Sequence, residues 1–186
     1  MSDARTRLLG TAGRLFYAEG LHSVGVDRVL AEAKVTRATM YRHFAGKDDL
    51  LVAYLGEADR ATRQQLEAGV AAAADDVEAV RAVARGIAAH IRSEGFRGCA
   101  FLNAAAEYPD PAHPVHVAVL NHRQWFHDTV AELLSRVGDS PVELDARHLV
   151  MLRDGAMAAG CLTDPGPVGE TFVEAVEGIL RARLSR

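Results

Sequence analysis

The chain has 186 residues, with 21 Lys and Arg against 25 Asp and Glu, a formal net charge of −4. Hydrophobic residues make up 49% and charged residues 25%, which excludes a disordered, collagen-like or low-complexity chain, and the acidic balance by itself weighs against a protein that tracks phosphate. Two cysteines, Cys99 and Cys161, are too few for a disulfide framework; with no uncharged apolar run of about 18 residues and no secretory leader, the sequence reads as soluble and cytoplasmic.

The periodicity is helical almost throughout, and nine helices are predicted. Leu8, Ala12, Leu15, Phe16 and Glu19 recur at helical spacing ahead of Gly20, which places the first helix over about residues 3–19. Short helices follow at about 27–33 and 37–44, then a long one from Lys47 to about Ala72. Asp75 and Asp76 complement the N-terminus of a fifth helix that runs to about Ser93. The sixth spans about 98–107. Three prolines in the seven residues 108–114 require a loop before a seventh helix over about 115–137. The eighth helix takes Pro141 into its first turn and runs to about Leu162. Asp164-Pro165-Gly166-Pro167 stops it, and the ninth helix covers about 168–184.

Chemistry concentrates in residues 26–51, VDRVLAEAKVTRATMYRHFAGKDDLL. Val26, Val29, Leu30 and Ala33 put an apolar stripe on one short helix, Lys34-Val35 breaks the period, and the Thr36 hydroxyl can cap the next helix. Two short helices joined by a tight turn form a helix-turn-helix, whose second helix enters a DNA major groove. Met40 and Phe44 share the inward face and Ala38 is small enough for close helix approach. Thr36, Arg37, Thr39, Tyr41, Arg42 and His43 are left for the outer face and its edges. An arginine there can bond guanine O6 and N7 bidentately, and Thr39 can meet a base edge. Tyr41, Arg42 and His43 can donate to phosphates, and Lys47 brings a cation to a helix N-terminus, which favours a further phosphate.

Charge separates the same region from the rest. Residues 1–50 hold eight Lys and Arg against six acids, net +2, and residues 51–186 hold 13 against 19, net −6.

The order of these elements, Phe-Tyr-Ala-Glu-Gly closing helix 1, Thr-Met-Tyr-Arg-His-Phe in the helix-turn-helix and then Gly-Lys-Asp-Asp-Leu-Leu, resembles the N-terminal domain of the TetR family of transcriptional regulators over about residues 5–55. Residues 96–109 are similar to a helix-6 stretch in one branch of that family. The resemblance implies an all-α, nine-helix fold with a DNA-binding domain over 1–46 and an effector-binding and dimerisation domain over 47–186. It implies a homodimer through the helices at about 141–162 and 168–184, bound to a palindromic double-stranded operator and released by a small-molecule inducer. Thr36, Arg37, Thr39, Tyr41 and His43 are expected to face DNA, Lys47 to hold phosphate, and Arg42 to add a further phosphate contact. Two positions depart from the family. Lys34 stands where a glycine is usual, a cost of roughly 1 kcal/mol if the residue is left-handed. Val24-Gly25 stands where Ser or Thr usually precedes helix 2.

The remaining candidates are weaker. Phe101, Trp125, Phe126, Met151 and Met157 have core spacing and could also line a cavity. Asn103 and Glu107, four apart, are the polar candidates for orienting an effector, with Phe101, Trp125 and Met151 beside them. His113 and His116 have no evident third metal ligand, and Asp145-x-x-His148 is an isolated approach to a di-iron motif, so no metal or cofactor is expected. His90, His122, His127 and His148 read as polar edges of helices, and Cys99 and Cys161 as small buried hydrophobes. No G-x-S-x-G, P-loop or dinucleotide fingerprint is present, which speaks against an enzyme. The competing class is a helical small-molecule binder whose helix-turn-helix only packs. Activation of transcription stays open beside repression.

Overall fold

The computed structural model describes residues 3–185. Among these residues the chain forms nine α-helices and no strand: α1 (Asp3–Glu19), α2 (Val26–Ala33), α3 (Arg37–Tyr41), α4 (Lys47–Ala71), α5 (Asp76–Ile91), α6 (Ala100–Glu107), α7 (Pro114–Ser135), α8 (Glu143–Ala159) and α9 (Pro165–Leu184). No helix among them is long and apolar enough to cross a membrane.

Most boundaries follow from local chemistry. Gly20, with φ +97°, ends α1 in a conformation that costs an L side chain dearly. Asp75 caps α5 by accepting a hydrogen bond from the Glu78 N–H at 2.8 Å. The proline-rich segment leaves the helix after Glu107 and re-enters it at Pro114, where a missing N–H is no loss.

Three boundaries differ from the expected ones. Helix α3 ends at Tyr41 because the chain tightens, with the N–H groups of both His43 and Phe44 donating to the Met40 carbonyl at 2.8 and 2.9 Å. Pro141 lies outside α8, which starts at Glu143. Pro165, expected to act as a stop, instead opens α9: Asp164 caps it through the Gly166 N–H at 3.0 Å, and proline fits the first turn.

The polypeptide divides into two compact units. Among the described residues the first comprises 3–60 and 100–121, the second 61–99 and 122–185. In the first unit α1, α2 and α3 pack on one another around Leu8, Leu15, Phe16, Leu21, Met40 and Leu50, each almost fully buried.

In the second unit α9 packs along α5 and α8. The helices come close at Gly169, where a Cβ would meet Ala88 Cβ at 3.3 Å and Arg92 Nη1 at 2.9 Å. Arg81 of α5 donates from Nε and Nη2 to the two carboxylate oxygens of Glu177 on α9, at 2.6 and 3.0 Å. Near the end of α9 the buried Arg183 donates to Asp145 of α8 at 2.8 Å. It also reaches the carbonyls of Gly138, Ser140 and Pro141, so one guanidinium ties the loop before α8 to two helices.

Several core expectations need correction. Met157 is buried, but Met151, six residues earlier, leaves 66% of its surface exposed on another face of α8. Six residues advance a helix by about 600°, or 240° around its axis, so the two cannot share a face. His122 is not a polar edge but a buried residue beside Trp125, with ring centroids 5.4 Å apart. Cys99 is buried as expected and receives a hydrogen bond from Arg153 Nη2 at 3.4 Å. Cys161 is exposed, because α8 has already ended at Ala159.

Candidate nucleic-acid interface

Helix α2 buries Val29, Leu30 and Ala33 and turns into α3 through Lys34 and Val35. Lys34 adopts φ 53°, ψ 48°, the left-handed conformation in which its amide donates to the Ala31 and Leu30 carbonyls. The turn therefore keeps the geometry that a glycine usually supplies and carries a cation as well.

Thr36 caps α3 in an extended conformation, its hydroxyl accepting from the Thr39 N–H at 3.2 Å. The Thr36 and Thr39 hydroxyls lie 2.9 Å apart, and Arg42 Nη2 donates to the Thr39 hydroxyl at 3.1 Å. Met40 and Phe44 anchor the segment in the core of the first unit. Ala38, expected at a helix contact, is exposed instead. It is two residues from Met40, about 200° around the helix, and so shares the outer face with Arg37, Tyr41 and Arg42. A small residue there leaves α3 free to come close to a groove wall. Tyr41 is 53% exposed, so its ring and hydroxyl are open to a partner.

The cations of this unit are not equally available. Arg14 pairs with Glu32, Arg28 with Glu32 and Glu19, Arg37 with Asp27, and Arg7 with Asp3. Hydrogen bonds donated to Glu32 and Glu19 hold the Arg28 guanidinium above its usual range, and those accepted from Arg14 and Arg28 hold the Glu32 carboxyl below its own. Arg5 lies over the Phe44 ring, 5.2 Å from its centroid. Lys34 and Arg42 have no acidic partner among the described residues.

Lys47 opens α4 as expected, but its Nζ donates to the His22 carbonyl at 3.3 Å, in the loop between α1 and α2. Burial pulls its pKa down, while Glu107 and Asp48 oppose that shift. One donor of this ammonium is thus committed to the protein.

The same loop is held by a residue that the sequence offered for a different role. Glu107, at the end of α6, accepts from the Leu21 and His22 N–H groups at 2.8 and 2.6 Å. His22 Nε2 returns a hydrogen bond to the Glu107 carbonyl at 3.0 Å, and its ring stacks on Tyr108 at 4.5 Å. His113 stands 4.6 Å from Tyr108 and 3.4 Å from Asp48 of α4. His116 meets the Tyr108 carbonyl at 2.6 Å. These histidines clasp the proline-rich segment, and among the described residues no group of three or more His, Cys, Asp or Glu forms a metal-like cluster. Nothing local in the sequence signals the Glu107 contact, because its partners are 86 and 85 residues away.

Of the other effector candidates, Phe101 is buried and Asn103 half-buried on α6 in the first unit. Trp125 belongs to the second unit, where the Arg63 guanidinium lies over its ring at 4.1 Å. Met151 is exposed on α8.

A short capped helix set on its predecessor by a tight turn, with an outward face of Arg, Thr, Tyr and Arg, defines a helix-turn-helix DNA-binding head. Comparison with known proteins gives the family. Residues 8–54 match the tetR family of bacterial regulatory proteins. A crystal structure of a TetR-family transcriptional regulator from Streptomyces coelicolor is 67% identical, covers 97% of this chain and 96% of its own, and superposes with a TM-score of 0.95. The HTH-type transcriptional regulator YjdC of Escherichia coli K12 is 22% identical over 180 residues, 95% of this chain and 93% of that one. LmrA of Bacillus subtilis 168, likewise an HTH-type transcriptional regulator, is 28% identical over 81 residues, 43% of each chain, so this match spans less than half of that relative. The chain belongs to the TetR family of transcriptional regulators, DNA-binding proteins and not enzymes.

Proposed function

We propose that this protein is a cytoplasmic repressor that binds a palindromic operator as a homodimer and leaves it when a small-molecule inducer binds. In this reading residues 1–46 form the DNA-binding domain and residues 47–186 the effector-binding and dimerisation domain. The observation that carries it is the outer face of α3, where Arg37, Tyr41 and Arg42 stand exposed while Met40 and Phe44 fix the helix from behind. Arg37 reads a base, Thr39 meets a base edge, and Thr36, Tyr41, Arg42 and His43 hold phosphate and fix register. Lys47 adds a phosphate contact with the donors that His22 does not use.

Self-association is supported by the outward faces of α8 and α9. Leu144, Met151 and Leu162 are 56%, 66% and 83% exposed along α8 and just beyond it, an apolar row that a monomer would leave in water. On α9 the small residues Ala175 and Gly178 allow close approach of a second copy, and a two-fold contact of this kind is self-complementary. A two-fold dimer places two copies of α3 about 34–36 Å apart when the half-sites lie one helical turn apart.

Phe101, Asn103 and Trp125 remain the candidates for meeting the effector, and Met151 is reassigned to the dimer face. Glu107 transmits: a shift of α6 pulls directly on the α1–α2 loop through the Leu21 and His22 amides. To move the population from 1:99 to 99:1 an inducer must favour the released state by about 10⁴-fold. A mobility-shift assay against the DNA upstream of the coding sequence, with sedimentation of the free protein, tests the proposal. A specific complex of a dimer is expected. The reading fails if the wild-type protein shows no preference for that DNA over an unrelated duplex, or if Arg37→Ala and Tyr41→Phe both bind it unchanged.

A further inference from the structure

We infer that Asp27 is a specificity-determining residue that acts through Arg37, disfavouring phosphate at the recognition arginine while leaving N–H groups for a base edge. The inference rests on the reading that Arg37 contacts a base. Asp27 lies in the first turn of α2 and Arg37 begins α3. Asp27 Oδ1 accepts from Arg37 Nη2 across the turn between them. Both side chains are largely in water, 81% exposed for Asp27 and 55% for Arg37. Such a pair is worth at most about 1 kcal/mol, so it adds little to the fold and is readily exchanged for another partner.

What it changes is the choice open to the arginine. A lone guanidinium at the front of a recognition helix binds any phosphate of any sequence, because counterion release rewards every such contact equally. Beside Asp27 that reward is reduced, since the carboxylate already neutralises the arginine and repels the phosphate that would replace it. A guanine edge carries no net charge, so the repulsion between its O6 and N7 and the carboxylate is much weaker than that of a phosphate. The single bond to Asp27 leaves four of the five guanidinium N–H groups, enough for the fork that guanine O6 and N7 accept. The position of the acid matters. Glu19 and Glu32 tie Arg28 and Arg14 across α1 and α2, whereas Asp27 alone of these carboxylates pairs with a residue of α3.

The test compares full-length wild type, Asp27→Asn, Arg37→Ala, the double variant, and Asp3→Asn as a control. Asp3 pairs with Arg7 on α1, so its substitution makes the same charge change outside the turn. Affinity is measured for the upstream fragment and for an unrelated duplex of equal length over a salt series. Asp27→Asn is expected to tighten binding to the unrelated duplex, to steepen its log–log salt slope by about 1, and to lower the ratio of specific to non-specific affinity about two- to fivefold. Asp3→Asn leaves the ratio unchanged, and Asp27→Asn has no further effect on the ratio in the Arg37→Ala background. An unchanged ratio in Asp27→Asn, an equal fall in Asp3→Asn, or a fall that persists without Arg37 overturns the inference. If Arg37→Ala by itself leaves the ratio of wild type, the base-contact reading fails, which is a separate outcome.

Discussion

The helix-turn-helix and the end of α9 use the same chemical pair, arginine with carboxylate, for opposite ends. Around the helix-turn-helix the pairs are exposed: Arg14–Glu32, Arg28–Glu19 and Arg37–Asp27 all stand in water. In the second unit Arg183 and Asp145 are buried, with Arg183 at 0% side-chain exposure and bonded to three further carbonyls. Exposed pairs exchange partners at little cost, which suits a surface that must hand its cations to DNA. A buried pair cannot exchange without leaving a charge stranded. Local charge, more than the overall −4, therefore describes what each unit can do.

Substitutions sharpen this contrast in decreasing order of effect. Arg183→Ala takes the guanidinium from the buried Asp145 and from three loop carbonyls, and is expected to cost about 3–5 kcal/mol in denaturant unfolding. A cost under about 1 kcal/mol would remove the distinction between the two units. Glu107→Ala leaves two N–H groups without their acceptor and is expected to cost about 1–3 kcal/mol. Hydrogen exchange at Leu21 and His22 should rise in that variant while exchange in α9 stays as in wild type.

Lys34→Gly relieves a left-handed side chain and should stabilise by up to about 1 kcal/mol. The same change lowers the salt slope of DNA binding by about 1 if Lys34 meets a phosphate. The smallest effect concerns pH. Hydrogen bonds from Arg81 hold the Glu177 carboxyl below its usual range, and the same arginine, with Arg85, lowers Glu78. A lowered folded-state pKa contributes stability above the ordinary carboxylate range that is lost as pH falls through the lowered value. Glu177→Gln should therefore give up a small part of the stability at neutral pH and flatten the acid limb, so that variant and wild type converge well below about pH 4.

Much of the fold could be read from the sequence because its signals are local. The 3.6-residue periodicity, the Asp75 cap and the proline-rich break each lie within one turn of what they control, and so does the anchoring of α3 by Met40 and Phe44. The misses have equally definite causes. Pro165 opens a helix because Asp164 caps it, and the same proline–glycine cluster without a cap would stop one. Met151 and Met157 have similar chemistry, and only the packing of α8 decides which one faces inward. Glu107 showed its four-residue spacing from Asn103, but its partners in the α1–α2 loop are brought to it by tertiary folding alone. The Asp27–Arg37 pair falls between these cases, since the residues are ten apart and meet across the turn that contains the left-handed Lys34.

The central claim is that α3 reads DNA sequence and that Arg37 does part of the reading. It is tested most directly by measuring the affinities of wild type and Arg37→Ala for a set of duplexes carrying every single base-pair change in the bound site. The account predicts that Arg37→Ala loses about 1–3 kcal/mol of discrimination at one base pair in each half-site and keeps the preferences elsewhere. A variant profile that matches wild type at every position, or that weakens evenly across all of them, would contradict it.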